Sequence, residues 1–318
     1  MKHALLEKLR KNPNHISGED LSRSFKISRS AIWKHIQELK KDGYDILAVP
    51  HLGYKLENSP DTLLPEEIQF DLRTTFIGKK VYFFETTTST MDVAFNLGLD
   101  RASEGTVVCA EVQTKARGRL GRSWVSFKKK GIYFSVLLRP SLLPNETPKL
   151  TLLSAVAVVQ AIKEITGLEA HIKWPNDILI DDKKVGGILT ELDAETDAVK
   201  FVVIGIGINA NVTKSAVPSH ATSLKIECGR EVSRVELTKE ILRRIEALYI
   251  EFQKEGFHPI IERWRELSST LGKRVRVTCH KEKVEGEALD VDMDGGLLIR
   301  KDSGFMEKIY TGDVTRLR

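Results

Sequence analysis

Apolar residues in the first 57 positions recur at helical spacing. Leu5, Leu6 and Leu9 share one face of a predicted helix His3–Lys11, which Asn12-Pro13 stops. Ser17 begins a second helix with Asp20 three residues on in capping-box position, and Leu21 and Phe25 form its buried i, i+4 pair. A tight turn at Lys26-Ile27 leads to Ser28, the N-cap of a third helix whose core stripe is Ile32, Ile36 and Leu39. Tyr44–Val49 and Gly53–Leu56 then read as two strands joined by Pro50-His51-Leu52, a wing.

The pattern changes after residue 57. Residues 58–65 are polar and carry Pro60 and Pro65, which predicts a linker. From 66 to 270 strand and helix patterns are mixed: Val107–Gln113, Ile178–Ile180 and Ile188–Leu192 as strands, Leu150–Ile165, Val235–Gln253 and His258–Thr270 as core-packing helices. From Gly272 onward short alternating segments are separated by glycines. The reading is an α+β chain in three sections, residues 1–60, 66–270 and 271–318.

Composition narrows the classes. Hydrophobic residues at 41% and charged residues at 29% describe a folding chain rather than a disordered one. The longest apolar segments, near Ala155–Val159 and Phe201–Ile208, are too short to cross a bilayer, and Met1–Arg10 lacks the apolar region of a signal peptide. Cys109, Cys228 and Cys279 are scattered without CxxC spacing, which predicts neither disulfides nor a zinc site and favours a cytoplasmic setting. A net charge of +5 is compatible with a polyanionic ligand.

The third helix turns Arg29, Ser30, Trp33, Lys34 and Gln37 away from its core stripe. Residues 26–41 hold five Lys/Arg against the single acid Glu38, a local field suited to phosphates. Two helices joined by a tight turn, with the second polar and basic outside, fit a helix-turn-helix with Ser28, Arg29, Ser30, Trp33 and Lys34 toward DNA. The other reading is a small three-helix bundle with a solvated basic face.

Seven Lys/Arg and no acid lie between Gln113 and Lys130. Such a cluster is repulsive unless an anion binds it. Gly118 and Gly121 let backbone amides approach phosphate oxygens, Arg117, Arg119 and Arg122 supply forked donors, and Trp124 offers a purine a stacking face. The P-loop order is absent, and an RNA-binding loop or a solvated loop remain open. Lys173, Trp174, Pro175, Asn176 and Asp177 precede a β-hairpin that turns at Asp181-Asp182 and returns through Lys183, Lys184, Val185, Gly186 and Gly187. A lysine there can neutralise a carboxylate and an α-phosphate so that the two anions meet, and Asp177 can hold Mg²⁺; an ordinary hairpin with solvated lysines is the alternative.

Taken together and in this order, Ser89-Thr90, Gln113 with Arg117-Gly118-Arg119, Lys173–Asp177, Lys184-Val185-Gly186-Gly187 and Gly205-Ile206-Gly207-Ile208-Asn209 resemble the biotin protein ligases of the bifunctional ligase/repressor type over nearly the whole chain. The resemblance implies a winged helix, a central mixed sheet flanked by helices and a small C-terminal β-barrel. It implies ATP-dependent biotinylation of a carrier-protein lysine through biotinyl-5′-AMP, with Mg²⁺, and adenylate-dependent repression as a homodimer on the operator DNA of biotin genes, away from any membrane. By the same resemblance Ser89, Thr90, Met91, Gln113, Arg117, Gly118, Arg119 and Lys184 surround biotin, and Arg117, Arg119, Arg122, Trp124, Asn176 and Asn209 the adenylate, with Lys184 and Arg119 catalytic. Asn209 also reads as strand packing beside the site.

Two positions depart from the family pattern. Met91 stands where a polar residue is commoner, which alters one edge of the biotin pocket. Ala116 replaces the glycine before Arg-Gly-Arg, and a Cβ there costs about 1–2 kcal/mol if the loop needs positive φ. The competing functions are a lipoate-type ligase, disfavoured by Trp174–Asp177 and the Arg-Gly-Arg loop, and a biotin-sensing transcription factor without catalysis, disfavoured by the presence of Gln113, Arg119 and Lys184.

Overall fold

The structure, a computed structural model, describes residues 1–279 and 282–317. The chain divides into two compact units, Met1–Thr62 and Leu63–Arg318.

In the first unit α1 (Lys2–Arg10), α2 (Gly18–Phe25) and α3 (Arg29–Lys41) precede an antiparallel hairpin of β1 (Asp45–Val49) and β2 (Gly53–Asn58). The caps are those the sequence announces: Ser17 Oγ accepts from the Asp20 amide at 3.0 Å and Ser28 Oγ from the Ala31 amide at 3.2 Å. Leu5, Leu6, Leu9, Leu21, Ile32, Ile36 and Leu39 are buried, while Phe25 is only half-buried. Tyr54 in β2 exchanges two backbone hydrogen bonds, each 2.9 Å, with Ile16 before α2. Gly53 at φ +107° makes that pairing possible, because a Cβ there would lie 2.0 Å from the Ile16 carbonyl oxygen.

The second unit opens with α4 (Pro65–Gln69), β3 (Val81–Thr87), α5 (Thr90–Leu99), β4 (Val107–Gln113), β5 (Gly131–Leu138) and α6 (Pro148–Thr166). It continues through β6 (His171–Lys173), β7 (Asp177–Ile180), β8 (Lys183–Ala194), β9 (Val199–Asn209), α7 (Leu224–Cys228), α8 (Arg234–Glu255) and α9 (His258–Glu266). Its sheet has the order β3-β4-β5-β9-β8-β7-β6, with β3 and β4 parallel and the other neighbours antiparallel. The middle strands are apolar on both faces because both are covered. Val202, Ile204, Ile206 and Ile208 of β9 join the core that holds α6, while Phe201 and Val203 join Met91 and Ala94 of α5 on the other face.

Two expectations need correction. The helix expected over His258–Thr270 ends at Glu266, because the next residues pair with β6: Ile172 N–H donates to Leu267 O at 2.8 Å and Ser269 N–H to Ile172 O at 2.9 Å. The C-terminal section is β10 (Arg274–Cys279), β11 (Glu282–Val291), β12 (Leu297–Arg300), β13 (Met306–Ile309) and β14 (Asp313–Arg316), an antiparallel sheet of order β13-β12-β11-β10-β14. It is not a closed barrel. The link between β13 and β14 makes no ladder among the described residues and instead offers Thr311 Oγ1 and the Gly312 carbonyl to Arg119.

Candidate functional sites

A cavity of about 360 Å³ lies over β9 and β8 on the α5 side of the sheet. Glycines shape its floor. Gly205 and Gly207 are two apart on β9 and so share a face. A Cβ at Gly205 would lie 2.4 Å from Met91 Sδ, and one at Gly207 would lie 2.8 Å from Trp124 Cε2. Each glycine is therefore the seat of a larger side chain. Met91 is 4% exposed and lines the cavity as its apolar edge. The Trp124 indole lies across Gly207 and Gly187, its Nε1 buried without a hydrogen-bond partner among the described residues.

Polar groups converge at one end. Ser89 is the N-cap of α5, its Oγ accepting from the Met91 amide at 3.2 Å. Gln113, the last residue of β4, accepts at Oε1 from the Thr90 amide at 2.8 Å and from Thr90 Oγ1 at 3.1 Å. Ser135 Oγ in turn donates to Thr90 Oγ1 at 2.8 Å. A backbone N–H can only donate, so the Gln113 oxygen is fixed and its amino group is what remains for a ligand.

The basic loop is better compensated than its sequence suggests. Arg117 donates to both Glu191 oxygens at 2.9 and 2.7 Å and to Asp92 at 2.5 Å, and the Glu191 carboxylate holds the guanidinium above its ordinary range. Arg122 donates to Asp313 at 2.5 Å, and Lys128 pairs with Glu85. At the far end Phe127 N–H donates to Tyr133 Oη at 2.7 Å and Lys129 N–H to the buried Glu111, itself paired with buried Arg234. The premise that only a bound anion relieves the repulsion is thus too strong.

Arg119 is different. Its guanidinium donates to neutral oxygens, Asn176 Oδ1 at 3.2 Å, Gly312 O at 3.3 Å and Thr311 Oγ1 at 2.8 Å. Burial presses its affinity for the proton below the usual arginine range, with Asp313 and Asp177 opposing that at longer distance. A desolvated cation facing a cavity without a salt-bridged carboxylate is a ready anion receptor.

Backbone strain in this loop sits at Leu120, not Ala116. Leu120 has φ +56° and is 60% exposed, whereas Ala116 is outside the positive-φ set, packs at the cavity wall and accepts from Trp124 N–H at 3.0 Å. The condition for a penalty at Ala116, a positive φ, is therefore not met. Gly118 also has extended backbone, φ −107°, so its amide approach does not rest on positive φ.

Lys184 owes its position to a bulge. Asp177 pairs with Gly187 and Leu179 with Lys184, with the register shifting between Ile178 and Leu179. The extra residue in β8 puts Lys184 and Gly187, three apart, on one face, which strict alternation would forbid. Lys184 Nζ lies 2.5 Å from Asp177 Oδ1 and 5.6 Å from the Trp124 ring centroid, inside the cavity. Asp181 and Asp182 both take positive φ in the hairpin turn.

Asn176 spends both ends of its carboxamide, accepting from Arg119 and donating to Ile188 O at 2.7 Å. Asn209 donates to Thr222 O at 3.0 Å and so anchors a covering segment. That segment also exchanges backbone hydrogen bonds with Lys184, His220 O accepting at 3.1 Å and Thr222 N–H donating at 2.9 Å. Pro218, His220 and Ala221 line the cavity from it, and Gly312, Asp313 and Val314 line it from the C-terminal sheet. None of these six was singled out from the sequence, because neither segment carries a periodic or motif signal. No group of three His, Cys, Asp or Glu among the described residues is placed to hold a metal ion.

In the first unit Ser28, the N-cap of α3, and Arg29, Ser30, Trp33 and Lys34 on α3 are all exposed, and Trp33 is 57% exposed. Among the described residues no helix is long and apolar enough to cross a membrane.

Comparison with known proteins is consistent across the chain. Residues 83–209 match the biotin/lipoate A/B protein ligase family, residues 2–55 an HTH domain, and residues 270–316 the biotin protein ligase C terminal domain. The chain is 41% identical to the bifunctional ligase/repressor BirA of Bacillus subtilis (strain 168), over 94% of this chain and 93% of that protein. It is 30% identical to the Escherichia coli (strain K12) protein of the same name, over 94% and 92%. A solved structure of biotin protein ligase from Aquifex aeolicus in complex with biotin and ATP superposes with a TM-score of 0.64 at 31% identity, covering 76% of this chain and 99% of that one. The cavity, the helix-turn-helix and these likenesses place the chain in the biotin protein ligase family, among its bifunctional ligase/repressors.

Proposed function

We propose that this protein joins biotin and MgATP into biotinyl-5′-AMP and pyrophosphate, then passes biotin to a lysine of a biotin carboxyl carrier protein. The observation that carries the reading is the cavity itself: an apolar floor and a Ser89-Thr90-Gln113 end suited to a ureido ring, with Lys184 and Arg119 at the other end. Lys184 meets the biotin carboxylate and the α-phosphate. Arg119 holds the phosphate in a desolvated setting, where a fixed charge acts most strongly on the charge of the transition state. Trp124 and Arg122 border the nucleotide, and the main chain at Gly118 follows it. Met91 shapes the apolar edge of the biotin pocket. Arg117 acts through Glu191 and Asp92 to keep the loop closed, while Asn176 and Asn209 support Arg119 and the covering segment.

A single carboxylate suits Mg²⁺ that arrives on a triphosphate, and Asp177 would hold it, the ion supplying charge neutralisation at the departing pyrophosphate. Residues 66–270 are assigned to this chemistry, and residues 271–318 close the cavity from the C-terminal side.

Residues 1–60 are assigned to operator DNA, with α3 in the major groove and the β1–β2 hairpin as a wing. The adenylate favours a homodimer that presents two recognition helices, and the cytoplasm is the expected setting. Pyrophosphate release with biotin and with lipoate, followed by transfer to a carrier domain, tests the reading; release with lipoate alone would overturn it.

A further inference from the structure

The chain has four tryptophans, and their burial differs sharply. Trp174 and Trp264 are at most 1% exposed and Trp124 is half-buried, whereas Trp33 on α3 is 57% exposed. An indole left in water forgoes the stabilisation that its burial would bring, so its surroundings on the helix matter. Trp33 opens the second turn of α3, in the N-terminal half that meets base edges when a recognition helix enters the major groove. Arg29 and Ser30, one turn before it, and Gln37, one turn after, share its face, and Lys34 adjoins it. At about 100° per residue, Glu38, the single acid of α3, lies about 140° away round the helix. There its carboxylate meets His35 Nδ1 at 3.0 Å. Cations and neutral groups thus frame the indole, as a polyanion requires.

The hydroxyls nearby are occupied. Ser28 Oγ accepts from the Ala31 amide at 3.2 Å and lies 2.9 Å from Ser30 Oγ, so both serve the start of the helix. Trp33 is then the large apolar group that this face presents. In the major groove most base-edge features are hydrogen-bond donors or acceptors, and the thymine 5-methyl is the apolar group among them.

We propose that Trp33 reads thymine in the operator half-site by packing its indole against the 5-methyl group. The inference rests on the DNA-binding reading of residues 1–60. It adds sequence preference to that reading, which phosphate contacts by themselves do not supply.

Uracil substitution tests this, because uracil is thymine without the methyl group. Duplexes that the full-length protein selects from a randomised pool in the presence of biotinyl-5′-AMP serve as probes, with each thymine replaced by uracil in turn. At the thymine under the indole the parent's affinity should fall about fourfold, as expected for losing one buried methyl group. In Trp33→Ala the thymine and uracil duplexes should bind equally. Trp33→Phe keeps an aromatic face and should restore part of the preference. Lys34→Ala removes a charge and should weaken both duplexes alike, with the preference kept. A parent indifferent to uracil at every position would overturn the proposal. So would a Trp33→Ala protein that binds more weakly but keeps the thymine preference, which would place the indole against another copy of this chain. Sensitivity to 7-deazaguanine that depends on Trp33, without sensitivity to uracil, would give the indole N–H to a purine and overturn it too. A parent that selects no duplex from the pool would overturn the DNA-binding reading instead.

Discussion

Arg117 and Glu191, 74 residues apart, form a two-pronged ion pair that fastens the basic loop to the middle of β8. On the proposed function this loop would cover a reactive anhydride, and a cover of that kind needs such a fastening. Arg117 is about one-third exposed, so the charge on Glu191 contributes only about 1 kcal/mol to closure. In Glu191→Gln, biotinyl-5′-AMP should dissociate roughly fivefold faster. Stopped-flow release of the adenylate measures this, and pyrophosphate release should change less.

The strain at Leu120 gives the loop a second handle. Leu120→Gly removes a left-handed residue with a Cβ and should favour the closed loop by up to about 1 kcal/mol, offset in part by greater chain freedom when open. Ala116→Gly should leave adenylate dissociation nearly unchanged, since Ala116 does not use positive φ. Dissociation rates of the two variants, measured side by side, separate the positions.

How far the sequence reaches is clearest from particular residues. Leu5, Ile32 and Ile36 reveal their helices because helical period and Ser caps act locally, and Val107–Gln113 is bounded as expected because a buried apolar strand has an unbroken pattern. Lys184 was singled out, but not the bulge that aims it, because a bulge is a property of two strands. The basic loop looked uncompensated because Asp92, Glu191 and Asp313 are remote in sequence. His220 and Gly312 carried no signal at all, since each contributes through its main chain.

Stability of the catalytic unit depends on Glu111 and Arg234, which are 0% and 2% exposed at the side chain. Glu111→Gln removes the carboxylate charge that pairs with the buried Arg234 guanidinium and weakens the anchor on Lys129, costing about 3 kcal/mol. Urea unfolding should show the midpoint falling with little change in slope.

For the first unit, Arg29 on exposed α3 tests the DNA assignment. In Arg29→Ala, binding to operator DNA in the presence of biotinyl-5′-AMP should weaken, and if the lost contact is to phosphate the logarithmic salt slope should drop by about 1. Pyrophosphate release should be untouched. Equal operator binding by parent and variant at several salt concentrations would remove Arg29 from the interface.

The central claim is that Lys184, set by the β8 bulge beside Asp177 and Trp124, supplies the charge that lets two anions react. Single-turnover pyrophosphate release from biotin and MgATP by Lys184→Gln tests it most directly. The account predicts a loss of at least about a hundredfold with the fold intact by circular dichroism. Release at close to the parental rate would contradict it.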